Sequence, residues 1–268
     1  MILEIMKRKL IDCIKKYGPW VWLFLVTAVN IWYILFPGEK LLDSDLAAEL
    51  ILADQLNKEH SILSFDWFYS TELRIVNLQW FYRLGLLIFP HSWTYARAFG
   101  MLLFYIVYVV VIMFLGKQIF DQNKEMQVLF AVTLLSPFGV WYHFYGTYGG
   151  YYLLINLLSV LGLVLHIASV KAKNHGYIVL AICAGCLLAF INGIQSVRQI
   201  MCFYIPLFMA TALILFTDID KGLRKGDSNV RLFSILKEPV LKISLKSMCY
   251  SFILLITSVG ETVRKLTA

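Results

Sequence analysis

Long apolar runs are the feature of this sequence that most limits its possible folds. A helix needs about 20 residues to cross the hydrocarbon core of a bilayer, and several runs approach that length. Because a peptide group facing lipid finds no water to bond, each run that crosses must be helical. The predicted fold class is an all-α polytopic membrane protein with about seven transmembrane helices. The predicted spans are 20–36, 98–116, 126–144, 148–170, 176–194, 200–217 and 247–260.

The composition agrees with lipid as the solvent for much of the chain. Hydrophobic residues make up 60% of the sequence and charged residues 15%, with a mean hydropathy of +0.72. Soluble domains carry about 25% charged residues, so an ordinary aqueous domain is excluded. Two prolines fall within predicted spans, and we expect kinks at Pro137 and Pro206, where the proline ring removes an intrahelical hydrogen bond.

The basic residues indicate how the chain is oriented. With the amino terminus in the cytoplasm, 16 of the 24 Lys and Arg residues fall on the cytoplasmic side. Such an excess follows the positive-inside rule, and it accounts for most of the net charge of +7. The basic residues lie in short segments beside the spans, so no nucleic-acid partner is indicated.

This orientation divides the chain as a single module over 1–268. Residues 1–19 are predicted to form a cytoplasmic interfacial segment, which stays uncleaved because no small-residue cleavage site follows it. The first span, 20–36, leads into a long extracytoplasmic loop at 37–97, and 98–260 holds the remaining spans and loops. The predicted location is the cell membrane.

Motifs of common soluble enzymes do not occur in this sequence. It has no G-x-S-x-G, no phosphate-binding P-loop and no dinucleotide-binding fingerprint. Its five cysteines include Cys183 and Cys186, whose spacing resembles a C-x-x-C pair. They stand in the small-residue stretch "AICAGCLLAF" of a predicted span, which favours helix packing over metal or redox chemistry.

Acidic residues are concentrated in the first extracytoplasmic loop. Eight of the 17 Asp and Glu residues lie there, and no predicted span contains one. We therefore expect any site at the outer interface and not along a proton path inside the membrane, which weighs against a proton-coupled transporter. The eight are Glu39, Asp43, Asp45, Glu49, Asp54, Glu59, Asp66 and Glu72.

The loop is expected to contain amphipathic and interfacial helices. Residues 45–58 suit a helix, and early acidic residues favour the positive end of its dipole. Asp45 and Glu49 are one turn apart and share a face, whereas Asp54 points away. Residues 65–90 mix aromatic side chains with isolated charges, a pattern typical of a segment lying at headgroup level. We expect the loop to pack back onto the bundle and to line a cleft.

Several motifs resemble those of GT-C glycosyltransferases, integral membrane enzymes that use a lipid-phosphate-linked sugar as donor. Asp43-Ser44-Asp45 stands where that superfamily carries its acidic motif, and "SDLAAELILADQL" resembles the helix that follows it in the bacterial branch similar to dolichyl-phosphate-mannose-protein mannosyltransferases. "WTYARAFGML" and "NGIQSVRQIMCFYIPL" resemble later segments. The resemblance covers about 15–217. Family members are generally longer, so a truncated or reduced member is expected.

The resemblance implies a sugar transfer at the membrane surface and a role for particular residues. A base must take the proton of the acceptor hydroxyl, and Asp45 matches the family residue. Asp43 would assist it or share a hard cation, Mg²⁺ or Mn²⁺, with Asp45. Arg198, followed by Arg97 and His143, would neutralise the anionic lipid phosphate. The predicted site residues are Asp45 and Asp43 as catalytic residues, and Arg198, Arg97, Glu49, His143 and Glu72 as substrate-binding residues. The implied partners are a polyprenyl-phosphate-sugar donor, the bilayer and an acceptor glycan, lipid or protein.

Other interpretations of the same residues stay open. Capping and solvation explain Asp43 and Asp45 equally well, and Glu49 also suits a surface ion pair. Arg198 also suits a side chain that reaches the interface from a span, and His143 an interface anchor. Glu72 and Arg74 would then only order the interfacial segment. For the whole chain, the alternatives are a multi-span transporter or lipid flippase, and a non-catalytic membrane assembly partner.

Overall fold

The computed structural model is helical, and no residue that it describes lies in a strand. The described residues are 2–40, 44–69, 76–137, 150–195, 197–225, 246, 249, 252–257 and 259. The α-helices in chain order are α1 (Ile2–Leu35), α2 (Pro37–Lys40), α3 (Ser44–Lys58), α4 (Gln79–Ile88), α5 (Trp93–Phe120), α6 (Lys124–Leu135), α7 (Gly150–Lys171), α8 (His175–Gln195), α9 (Val197–Gln199) and α10 (Ile205–Lys225). A π-helical turn, Ile200–Tyr204, joins α9 to α10.

Five helices in the described part of the chain are long and apolar enough to cross a membrane. Their exposed faces carry large apolar side chains such as Trp22, Phe24 and Trp32 of α1, which water would solvate poorly. These helices are compatible with a membrane protein, and each overlaps one of the predicted spans. The candidate spans are Met6–Leu35, Trp93–Phe120, Leu154–Lys171, His175–Gln195 and Val197–Thr217.

The other two predicted spans extend beyond the described residues. In the third, 126–144, helix α6 has 12 residues and ends at Leu135 instead of continuing through a kink at Pro137. Residues before proline avoid the helical region, and Ser136 is accordingly extended. Twelve residues rise about 18 Å, less than the roughly 30 Å hydrocarbon core. Within 247–260 the structure describes helical residues at 249, 252–257 and 259. The count of seven spans stays a prediction.

Helix α1 includes most of the predicted interfacial segment and of the first predicted span. It is one helix of 34 residues that continues through Pro19. Proline within a helix removes one hydrogen bond to the residue four positions earlier, here Lys15. Helical residues continue on both sides of Pro19, so the lost bond does not end the helix.

The described residues group into two compact units. The first comprises Met1–Phe68 and Val76–Val160, and the second comprises Tyr69–Ile75 and Leu161–Ala268, each counted over its described residues. That the chain acts as a single module over its whole length stays a prediction.

In the first unit a buried asparagine ties three helices together. The Asn30 side-chain amide of α1 donates to the Tyr105 hydroxyl of α5 at 3.0 Å and to the Leu135 carbonyl at 2.9 Å. The Leu135 carbonyl is at the end of α6, where no further helical turn supplies a donor. Inside an apolar bundle these bonds are hard to replace, so Asn30 fixes the register of α1, α5 and α6.

Helices α4 and α5 approach closely through glycines. A Cβ on Gly100 of α5 would lie 2.9 Å from the Phe81 carbonyl oxygen of α4, and a Cβ on Gly85 of α4 would collide with the Ala96 carbonyl. Only the missing side chains allow this backbone contact. The loop helix α4 is thereby held against the start of α5.

The second unit contains the π-helical turn, which lies directly before Pro206. The Ile205 amide donates to the Ile200 carbonyl five residues earlier, so one extra residue enters the turn. Proline cannot donate to the residue four positions back, and the wider turn adapts the chain to that gap. A buried bond from the Asn192 amide to the Tyr204 hydroxyl, 2.8 Å, connects this turn to α8.

Candidate functional site

Helix α3 begins soon after the first candidate span. Helix α1 ends at Leu35, the short helix α2 follows, and α3 starts at Ser44. The predicted helix 45–58 therefore corresponds to α3, and Asp45 occupies its first turn. Asp43 and the side chain of Asp45 lie outside the described residues, so their catalytic and cation-binding roles stay predictions.

Glu49 is fully buried on the inward face of α3. Its carboxylate accepts a hydrogen bond of 3.0 Å from the side-chain amide of Asn77, just before α4. Leu46, Leu50 and Ala53 share this face at helical spacing and are also buried. The surface ion pair considered for Glu49 does not fit this burial. A carboxylate held in the interior by a neutral amide instead fixes α3 to the segment before α4.

Asp54 lies on the other side of α3, as the helical spacing predicted. Its carboxylate is 2.7 Å from the Lys58 ammonium, which is one turn later and well exposed. Exposed pairs at this spacing contribute little stability. Asp54 is therefore a surface residue of the loop.

The turn after α3 is organised around Glu59. Its carboxylate accepts hydrogen bonds from the Gln55 amide at 2.7 Å and from the hydroxyls of Ser64 at 2.8 Å and Ser61 at 3.1 Å. These donors favour the charged form, and the bonds from Gln55 and Ser64 are the main cause of a lowered pKa for Glu59. The Glu59 carboxylate thus orders the turn that follows α3.

The carboxyl end of α3 closes in a Schellman motif. The Ser61 amide donates to the Leu56 carbonyl at 3.2 Å and the His60 amide to the Asn57 carbonyl at 3.4 Å. His60 is left-handed, with a φ of 51°. This position usually holds glycine, and here a histidine takes it.

Arg83 of α4 holds the same end of α3. Its Nε donates to the Asn57 Oδ1 at 2.8 Å, and its terminal nitrogens donate to the carbonyls of Ser61 at 2.8 Å and Leu56 at 3.3 Å. The guanidinium also lies 4.8 Å from the ring centre of Trp80. A planar group with five donors can satisfy several helix-end acceptors at once, which a lysine cannot. Arg83 therefore links α3 and α4.

Arg97, a predicted phosphate-binding residue, is buried at the start of α5. Its Nη2 donates to the carbonyl of Ile34 at 2.9 Å, one of the orphan acceptors at the end of α1. A Cβ on Gly38 of α2 would lie 3.2 Å from its Nη1, so α2 passes directly over the guanidinium. Arg97 thus connects the end of α1 to α5 beneath the chain that leads to α3. Phosphate binding by Arg97 stays a prediction.

Arg198 belongs to the second unit. It is exposed in the three-residue helix α9, between α8 and the π-helical turn, and its neighbour Gln199 is buried. An exposed cation at this position is compatible with anion binding and with solvation. Glu72 and His143 lie outside the described residues, and their substrate-binding roles stay predictions.

Sequence reasoning missed two residues that build this loop, Asn77 and Arg83. Arg83 is the one polar or charged residue of "WFYRLGLL" apart from the Tyr82 hydroxyl, and Asn77 stands between Val76 and Leu78 in "RIVNLQW". An isolated polar side chain among apolar neighbours must find a partner if it is buried, and that signal was present. The sequence did not indicate which residues the partners would be. Glu49, which bonds Asn77, and Asn57, which bonds Arg83, both lie more than 20 residues earlier in the chain.

No protein family, curated protein or solved structure matches this chain. Among the residues that the structure describes, no three His, Cys, Asp or Glu side chains form a group that could hold a metal ion. The predicted cation ligands, Asp43 and Asp45, are not fully included in that set. The structural support for a function therefore comes from how α3 is held against its neighbours.

Proposed function

We propose that the protein is a membrane glycosyltransferase that moves a sugar from a polyprenyl-phosphate-linked donor to an extracytoplasmic acceptor. The site lies at the amino end of α3, with Asp45 as the general base. The acceptor is a glycan, a lipid or a protein.

The observation that carries the proposal is the rigid attachment of α3 beside the end of a candidate membrane span. Glu49 is bonded to Asn77, and Arg83 binds the carboxyl end of the helix. A segment that only connected two helices would not require a buried carboxylate and an arginine bonded to the end of α3. A fixed helix gives a residue in its first turn a defined position at the membrane surface, as general-base catalysis requires.

In the proposed reaction, one sugar–phosphate bond breaks and one hydroxyl proton is transferred at this end of the helix. The acceptor hydroxyl oxygen attacks the anomeric carbon, the bond from that carbon to the phosphate oxygen breaks, and Asp45 takes the hydroxyl proton. The phosphate leaves as an anion on the polyprenyl chain, and a cation must neutralise it, a role for which the sequence resemblance names Arg198. Mg²⁺ or Mn²⁺ held by Asp43 and Asp45 would stabilise the same charge.

The test is sugar transfer in membranes that contain the full chain and a panel of polyprenyl-phosphate-linked sugars. Release of polyprenyl phosphate serves as the readout, because it does not depend on the acceptor's identity. Asp45→Asn removes the base with little change in shape, and we expect the rate to fall by about 10²- to 10⁴-fold. Expression and thermal stability should stay at the wild-type level.

Asp54→Asn is the matched control, since it makes the same change at a partly exposed carboxylate of the same helix, paired with Lys58. It should keep wild-type turnover. Equal turnover in wild type and Asp45→Asn would overturn the assignment of the base. Absence of turnover with every donor would overturn the enzyme proposal and favour a transporter, flippase or assembly partner.

A further inference from the structure

The first unit contains a polar cavity at the end of the bundle opposite α3. It lies between α1, the last turns of α5 and the beginning of α6, and has a volume of about 530 Å³. All of its lining residues belong to one compact unit. They are Trp20, Met113, Lys117, Asp121, Gln122, Lys124, Gln127 and Val128.

The lining combines cations, hydrogen-bond donors and an apolar wall. Lys117 and Lys124 contribute two ammonium groups and Asp121 one carboxylate, so the formal charge of the cavity is positive. The Gln122 amide adds neutral donors, whereas the Gln127 amide donates to the Asp121 carbonyl. Trp20, Met113 and Val128 supply an apolar surface beside them. The cavity therefore has a cationic, hydrogen-bonding part and an apolar part, which is what an amphipathic ligand requires.

The position of the cavity matches the level of lipid headgroups. Lys117 lies in the last turn of the candidate span Trp93–Phe120, and Lys124 begins the next helix. Trp20 is one turn after Lys16, in the helix that also carries the basic run at 7–9. Tryptophan and basic residues together are typical of the zone where a membrane helix meets the phosphates.

We propose that this cavity binds the headgroup of an anionic phospholipid. The two lysines and the Gln122 amide hold the phosphate, and the side chains of Trp20, Met113 and Val128 cover the glycerol and the first methylenes. Basic pockets between membrane helices recognise acidic headgroups in this way. A free phosphate would use the cations but not the apolar wall. The proposal does not depend on sugar transfer.

The experiment measures lipid binding to the purified full chain by native mass spectrometry. Phosphatidylglycerol is titrated against phosphatidylcholine, with wild type and the double variant Lys117→Gln/Lys124→Gln. We expect the double variant to bind phosphatidylglycerol about tenfold more weakly or worse, with phosphatidylcholine binding unchanged. The double variant Lys171→Gln/Lys173→Gln removes the same charge at the end of α7 and should stay within about twofold of wild type.

A second variant tests the charge of the cavity in the opposite direction. Asp121→Asn removes the one carboxylate and should strengthen phosphatidylglycerol binding by several-fold, without loss of any cation. This variant keeps the test decisive if the double-lysine variant does not fold.

Three outcomes would overturn the proposal. The first is equal phosphatidylglycerol binding in wild type and Asp121→Asn or the cavity double variant. The second is an equal loss in the Lys171/Lys173 control, which would indicate general surface charge. The third is displacement of phosphatidylglycerol by inorganic phosphate at millimolar concentration, which would identify a free phosphate as the ligand.

Discussion

Glu59 is a surface carboxylate whose hydrogen bonds make the loop after α3 sensitive to pH. The pKa of Glu59 is lowered from its ordinary value of 4.5, mainly by donors from Gln55 and Ser64. A group with a lowered folded-state pKa stabilises the fold above its unfolded-state value, and that contribution disappears as the pH falls through the folded-state value. The loop should therefore loosen below about pH 4.5 and not above it.

Replacing Glu59 should remove this pH dependence. In Glu59→Gln we expect faster backbone amide exchange over 59–64 at neutral pH, because the charged acceptor is lost, and little further change on acidification. The measurement is hydrogen exchange by mass spectrometry, corrected for the intrinsic pH dependence of exchange. Identical profiles for Glu59→Gln and wild type between pH 7 and pH 3 would contradict this role.

Arg83 provides a second test at the scale of one residue. Arg83→Lys keeps the charge but cannot reach Asn57, Ser61 and Leu56 together, so the free energy of unfolding should fall by about 2 kcal/mol. A lower melting temperature in detergent and faster proteolysis between α3 and α4 would be observed.

Lys58→Ala serves as its control, because it removes only the exposed partner of Asp54. Its cost should be about 0–1 kcal/mol. An Arg83→Lys protein as stable as wild type would show that the bonds to the end of α3 are dispensable.

At the scale of elements, the loop depends on how closely α4 packs against α5. Burial of Leu78, Tyr82 and Leu86 supplies the apolar contact, and the absence of a side chain at Gly85 and Gly100 allows it. Since α3 is bound to α4 through Arg83, any displacement of α4 is passed to α3.

Gly100→Ala should therefore disturb more than its own position. The new methyl group would lie 2.9 Å from the Phe81 carbonyl oxygen, so α4 must move, at a cost of about 1–3 kcal/mol. Both the melting temperature and the proposed sugar transfer should fall.

Gly18→Ala of α1 is the matched control, because the nearest atom to its Cβ is Ile14 Cγ2 at 3.7 Å, an ordinary contact. Alanine is the better helix former, but the following Pro19 disfavours a helical residue with a side chain at this position, so this variant should change the free energy of unfolding by about 1 kcal/mol or less in either direction. If Gly100→Ala melts at or above wild type, the close approach of α4 and α5 is not essential.

At the scale of the whole molecule, the distribution of Lys and Arg predicts how the chain is oriented in the membrane, with its amino terminus in the cytoplasm. Single-cysteine proteins test it, with the other cysteines replaced by serine. Lys58→Cys should react with a membrane-impermeant maleimide in intact cells. Native Cys13 and an introduced Gln122→Cys should react only after the membranes are opened, because both lie on the predicted cytoplasmic side.

The three positions are exposed in the structure, so lack of access within the fold does not explain a missing label. The reversed pattern would invert the orientation and move α3 to the cytoplasmic side. Reaction of all three in intact cells would show that the chain does not separate the two ends of the bundle.

The sequence by itself determined the helical class, the location of five long apolar helices and the approximate ends of α3. These properties are local, because length, hydropathy and helix-end residues act within one segment. It did not determine that the helix at 124–135 ends before Pro137, since a kink and a termination have the same local signal.

Only the tertiary structure decided which partners the buried polar residues have. The sequence left Glu49 between a surface ion pair and a site residue, and the fold buries it against Asn77, 28 positions later. Arg97 was assigned to phosphate and lies against the end of α1, 63 positions earlier. A buried polar group takes whichever partner the packing brings to it, and that partner is distant in the chain, so no local pattern specifies it.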